Sequence, residues 1–171
     1  MSNIELWDIY DSKKKRTGRI MKRNDCCLKK GEYHLTVLGV IATKEGKFLI
    51  TQRDSSKAWA AGWWEVSGGA VMAGEDSKDA VIREIKEETG LDVSFSEGEF
   101  LFTYHRENLD EGDNYFVDVY RFSIDLDESK IKLQQTETMG YKIANSEEIK
   151  SLAQKGIFLH YDSIKSAFCL N

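Results

Sequence analysis

Proline is absent from all 171 residues. So are internal repeats, low-complexity stretches and any segment composed like a flexible linker, which points to one domain over residues 1–171, with an N-terminal extension at 1–30 and a core at 31–171. Long apolar runs are missing as well: none approaches the roughly 20 residues of a membrane-spanning helix. The opening Met1-Ser2-Asn3-Ile4-Glu5 lacks the basic-then-apolar order of an export signal. No membrane partner is expected, and the expected location is cytoplasmic. Cysteine is scarce, with Cys26 and Cys27 adjacent and Cys169 far away. An odd count with no C-x-x-C spacing argues against a disulfide framework and against a cysteine zinc site. Excess positive charge is lacking too: the net charge of −5 argues against a nucleic-acid partner. The basic run Lys13-Lys14-Lys15-Arg16 reads as a solvated turn.

What is present describes a soluble globular chain, 41% hydrophobic and 31% charged. Residues 4–10 and 17–22 alternate well enough for an N-terminal β-hairpin around that basic turn. The run 33–42 is rich in β-branched and apolar residues, and Lys44-Glu45-Gly46 turns it into a partner strand at 47–53. Residues 54–69 read as a structured loop carrying Trp59, Trp63 and Trp64, with a short strand near 64–66. A helix is predicted from an N-cap at Asp76 or Ser77 to a stop at Gly90. Strands are predicted near 91–96, 99–106 and 114–123, and a second helix over 146–155 with Asn145 and Glu148 as its capping pair. A short closing helix fits 161–169. The fold class is α/β (α+β), a mixed sheet with helices on its faces.

The first helix carries the chemistry. At 100° per residue, Glu84, Glu87 and Glu88 share one narrow face, while Val81, Ile82 and Ile85 point elsewhere, into the core. At ~6 Å and an effective dielectric near 20, one such carboxylate pair costs roughly 3 kcal/mol, and full exposure reduces this to a few tenths. Arg83 stands four residues from both Asp79 and Glu87, but no cation lies at i±3 or i±4 from Glu84 or Glu88. A divalent metal is the natural completion, because hard cations take oxygen ligands. On the glutamates alone a solvated acidic face would look the same. The spacing of Gly69, Glu75 and Gly90 around them separates the two.

That spacing resembles a known family. Gly69, five residues, Glu75, seven residues, then Arg83-Glu84-Ile85-Lys86-Glu87-Glu88-Thr89-Gly90-Leu91 fills all nine specified positions of the 23-residue Nudix box. The resemblance implies a Nudix fold and hydrolysis of a phosphoanhydride bond in a small diphosphate substrate. It implies Mg²⁺ or Mn²⁺ held by Glu84, Glu87, Glu88 and the carbonyl of Gly69. Arg83 would orient the glutamates, and Glu75 would support the loop or reach a metal. Many members place proline before the paired glycines, where this chain has Ser67-Gly68-Gly69.

The attacking water needs a base. Within the box Glu84 or Glu87 could serve; outside it Glu137 is preferred over Glu107, Asp110, Glu111 and Asp113, because it precedes a strand and the second helix. For the substrate, Arg53 could clamp a phosphate, Trp59 and Trp63 could stack on a base or prenyl tail, and His105 could border the pocket. His34 reads as structural, and His160 carries no signal.

A looser likeness, through residues 31–34, 56–63 and 135–141, is to the Nudix branch containing isopentenyl diphosphate isomerase. The isomerase uses a cysteine in the loop before the helix and histidines at its metal. Here Trp63-Trp64-Glu65-Val66-Ser67-Gly68-Gly69 has neither, and the isomerase's paired glutamate near 111–115 is not intact. Hydrolysis is therefore favoured over isomerisation. It is also favoured over a non-catalytic nucleotide sensor, since such domains lose box glutamates and none is lost here. The substrate's identity and a homodimer are left open.

Overall fold

The structure is a computed structural model and describes residues 3–170. Leu6–Tyr10 (β1) and Arg16–Lys22 (β2) form the expected antiparallel hairpin as a two-stranded sheet. Trp7, Ile9 and Met21 alternate to one side and, with Leu28, bury a small cluster against Ala70. The basic turn between the strands differs from the solvated loop its charge suggested. Lys14 reaches back onto the main sheet, pairing with the buried Asp118 and donating to Thr103 Oγ1 at 3.2 Å.

The main sheet is mixed. His34–Thr43 (β3) is its centre, parallel to Tyr115–Ile124 (β8) along ten residue pairs, and Gly98–Arg106 (β7) adds antiparallel to β8. On the other side β3 pairs with Phe48–Arg53 (β4) at Ile41 and Ala42. Below that contact Ser67–Ala70 (β6) takes the place beside β3, while β4 pairs with Trp64–Glu65 (β5) and Thr138–Ala144 (β9). The loop reading of 54–69 missed β6, because Ser-Gly-Gly-Ala has no strand-forming pattern. Its glycines are there for room: a Cβ on Gly68 would stand 2.3 Å from the Val37 carbonyl oxygen.

Helices cover both faces. Ser77–Thr89 (α1) buries Ala80, Val81 and Ile85 against Val37, Ile41 and Phe122. Gly39 admits it, since a Cβ there would meet Val81 and Ile85 at 2.8 Å. Asp76 is the N-cap residue, without a side-chain capping bond, and Gly90 closes the helix at φ 76°. On the opposite face Ser146–Gln154 (α2), Tyr161–Ile164 (α3) and the 3₁₀ turn Lys165–Phe168 bury Ile149, Ile164 and Phe168 against Phe48, Ile50 and Val119. The Asn145–Glu148 capping box begins α2 as its sequence predicts.

The strand predicted near 91–96 is not one. Leu91 and Val93 are buried, but Ser94 and Glu97 cap each other around a 3₁₀ turn at Phe95–Glu97, which withdraws that backbone from pairing. No helix among the described residues is long and apolar enough to cross a membrane.

Candidate active site

The acidic face of α1 packs against β6. The closeness is visible at Gly69, where a Cβ would lie 2.4 Å from Glu84 Oε1. Between them the loop is tied from two sides: Glu75 accepts the Met72 N–H at 3.0 Å, and the hairpin takes the Ala73 N–H at the Leu6 carbonyl and the Gly74 N–H at Asp8.

Arg83 does not lean on Asp79, as helical spacing allows. It turns inward and holds Glu75 in a two-pronged pair at 2.8 and 2.9 Å, Glu84 Oε1 at 2.7 Å and the Ala70 carbonyl at 3.1 Å, with Glu87 at 3.4 Å. Glu84, which by sequence has no cation at helical spacing, is therefore paired by its own neighbour. These acceptors raise the Arg83 pKa.

The three box glutamates differ sharply in setting. Glu87 is exposed. Glu84 is pushed up to about 7 by burial, with Glu87 and Glu5 adding to the effect and Arg83 opposing it. Glu88 is raised well above the usual carboxylate range, first by burial and then by the Glu65 and Glu84 charges. The Gly68 N–H and the Ser67 hydroxyl oppose the shift, but among the described residues its Oε2 has no partner in hydrogen-bond geometry and no contact with solvent. Sequence placed Glu88 on a face distinct from the core; in the fold β6 packs beside Glu88 while Glu87 on the same face stays exposed.

Gly69, Glu84, Glu87 and Glu88 line one cleft of about 230 Å³, completed by Gln134 and Glu137 from the segment before β9 and by Glu5 and Arg23 from the hairpin. Among the described residues no three carboxylate, imidazole or thiol groups close on a single point; Glu84 is turned to Arg83 and Glu87 to solvent. The donor set nonetheless suits a hard cation: oxygens only, one of them buried and unpartnered. Glu137 is paired with Lys57. Glu107 and Asp113 bond Tyr33 and His34, and neither they nor Asp110 and Glu111 line this cleft.

A second pocket, also about 230 Å³, shares Gly68 and Gly69 with the first. Arg53 and Trp59 border it together, the guanidinium 5.5 Å from the indole centroid and bonded to Glu65 at 3.3 Å. Trp63 lies outside the lining, its carbonyl accepting the Arg53 backbone N–H at 2.9 Å. His105 does not border the pocket: it projects to the other face of β7, beside Tyr33 and Phe116, and strand alternation gives the place to Tyr104. Among the described residues the buried Tyr104 hydroxyl has no partner in hydrogen-bond geometry, and its pKa is pushed up to about 12 by burial, with Arg106 and Ser163 opposing. His160, silent in the sequence, also lines the pocket. It has a left-handed backbone (φ 61°), and burial with the Arg106 and Arg53 charges lowers its pKa to about 4. No motif marks a lone loop histidine; only the path of the chain past β5 brings it here.

Residues 32–165 match the family model described as NUDIX domain. An uncharacterized Nudix hydrolase of Listeria monocytogenes is 30% identical over 168 residues, covering 98% of this chain and 95% of its own. The CTP pyrophosphohydrolase of Escherichia coli is 34% identical over 73 residues, 43% of this chain and 52% of its own. In fold, the crystal structure of a Deinococcus radiodurans protein superposes with a TM-score of 0.70 at 19% identity, over 90% of this chain and 91% of that one. The chain belongs to the Nudix family and is a MutT-like pyrophosphohydrolase.

Proposed function

We propose that this enzyme hydrolyses a phosphoanhydride bond of a nucleoside diphosphate derivative or a similar small diphosphate compound, using Mg²⁺ or Mn²⁺ held by Glu84, Glu87, Glu88 and the Gly69 carbonyl. The observation that carries the reading is Glu88 Oε2, shut off from solvent and, among the described residues, without a cation or a partner in hydrogen-bond geometry; only the Gly68 N–H and the Ser67 hydroxyl favour the charged carboxylate. An unpaired buried carboxylate costs several kcal/mol, and this one stands next to Glu84 and Glu65. A bound divalent cation would supply the missing positive charge, neutralise the diphosphate and provide an acidified water.

The chain's own groups do the remaining work. Arg83 fixes the Glu84 carboxylate and, through Glu75, the loop that precedes the helix. Glu137 is the preferred base for the attacking water, with Lys57 orienting it; Glu84 and Glu87 are its alternatives within the helix. Arg53 and Trp59 receive the part of the substrate that does not react. The relative named for CTP supports a nucleotide in that role, as do the aromatic walls of the pocket.

A panel of nucleoside di- and triphosphates, nucleotide sugars, dinucleoside polyphosphates and prenyl diphosphates, read by mass spectrometry with and without each metal, tests this. The expected result is metal-dependent cleavage at a phosphoanhydride in one class. Undiminished cleavage in excess chelator would overturn the reading, as would no cleavage with either metal. E88Q is expected to lose turnover and the metal-induced rise in melting temperature, without melting lower than wild type in chelator, because it relieves repulsion.

A further inference from the structure

We infer that Arg23, from the N-terminal hairpin and outside the Nudix box, binds a non-bridging phosphate oxygen of the substrate over the carboxylate cleft; this rests on the diphosphate reading above. Two guanidinium groups line that cleft, Arg83 and Arg23. A guanidinium has five N–H donors. Those of Arg83 are taken up by its five bonds to Glu75, Glu84, Glu87 and the Ala70 carbonyl. Arg83 therefore has nothing left for a ligand.

Arg23 is the reverse case. Among the described residues it makes one side-chain bond, Nη1 to Glu5 Oε2 at 2.9 Å, which leaves its other donors without a partner there, on a side chain 59% exposed. The tether is built rather than casual. Glu5 Oε1 accepts the Trp7 indole N–H at 2.7 Å, and Trp7 is buried and stacked on His34 with centroids 4.3 Å apart. The Arg23 backbone N–H also donates to the Glu5 carbonyl at 2.9 Å. An exposed pair of this kind contributes little to stability, so it does little as a brace. As a positioning device it does more: one corner of the planar fork is pinned, and the side chain lines a cleft that also holds Glu84, Glu87 and Glu88. Arginine meets phosphate oxygens in pairs with this geometry. The hairpin also ties down the loop ahead of α1 through Leu6 and Asp8, so Arg23 and the box residues share one frame.

The test uses R23M and R23K in the full chain. Binding of inorganic pyrophosphate in the presence of Mn²⁺ is measured by calorimetry, and KM and kcat are measured on whichever substrate the panel identifies. R23M is expected to weaken pyrophosphate binding and raise KM by about 10- to 100-fold, the range of a charge-assisted hydrogen bond. Its kcat and melting temperature should change little, and R23K should recover part of the affinity. Wild-type pyrophosphate affinity in R23M with an unchanged KM overturns the assignment. So does a loss confined to kcat with a lowered melting temperature, which would mark a structural role. If the wild-type protein itself neither binds pyrophosphate nor cleaves any compound, the diphosphate reading has failed first, and this inference falls with it.

Discussion

Single residues in this protein are set apart by what stands within a few ångströms of them, and neighbouring glycines show it. At Gly69 the atoms in the way belong to the tip of the Glu84 side chain; at Gly68 they are the Val37 carbonyl oxygen and the backbone and side chain of Leu38. G69A should therefore fold with a loss under about 1 kcal/mol yet lose about 100-fold in activity, because the Glu84 carboxylate must move by the order of an ångström. G68A should instead lose about 2 kcal/mol or more; denaturant melts and turnover of the two variants check the contrast. His160 gives a pH prediction. Its folded-state pKa of about 4 lies below its unfolded value near 6.5, so the unfolded chain takes the proton first and stability falls as pH drops from about 6.5 to about 4, by at most about 3 kcal/mol. Glu84, raised to about 7, works in the opposite direction. The readout is accordingly the difference in melting between wild type and H160N, a residue that tolerates the left-handed backbone; a difference flat across that range would contradict the assignment.

At the scale of elements, α1 ends where Gly90 turns left-handed, and that turn also holds the segment that crosses the helix end. Lys132 donates to the Thr89 carbonyl at 2.7 Å and Gln134 to the Glu88 carbonyl at 3.2 Å, which carries Gln134 and Glu137 to the cleft. A Cβ on Gly90 would meet Lys132 Cβ at 2.9 Å, with φ at 76° besides. G90A should cost about 1–2 kcal/mol, and its kcat should fall as the strap shifts, measured by thermal melts alongside steady-state kinetics. The helix itself was legible in the sequence, from Asp76 to Gly90, because capping and periodicity are local. The 3₁₀ turn at 95–97 was not: Leu91 and Val93 are apolar enough for a strand, and the Ser94–Glu97 bonds that prevent one are an alternative use of the same short segment.

Across the whole molecule the hairpin and the main sheet are joined by a charge buried between them. The Asp118 side chain is 3% exposed, with Lys14 and Thr103 as its partners. K14M removes the cation and should destabilise the protein by about 2–3 kcal/mol, since it strands a carboxylate in the interior. D118N added to K14M should recover most of that loss, as the melting temperatures of a double-mutant cycle would show. Absence of coupling between the two positions would mean the turn does not dock. The same docking brings Glu5 and Arg23 to the cleft, far in sequence from α1.

The amino-acid order alone determined everything that depends on short spacing. The hairpin's alternation, the caps of α1 and α2, the shared face of Glu84, Glu87 and Glu88 and the complete box of residues 69–91 all repeat within a turn or two of backbone. Tertiary structure alone decided what covers those faces. It buried Glu88 beside β6, turned Arg83 from Asp79 to Glu75 and Glu84, put Tyr104 where His105 was expected, and brought in His160 and Arg23. The reason is physical: helical and strand periods state which side chains point the same way, whereas desolvation and ion pairing depend on which distant segment packs against them.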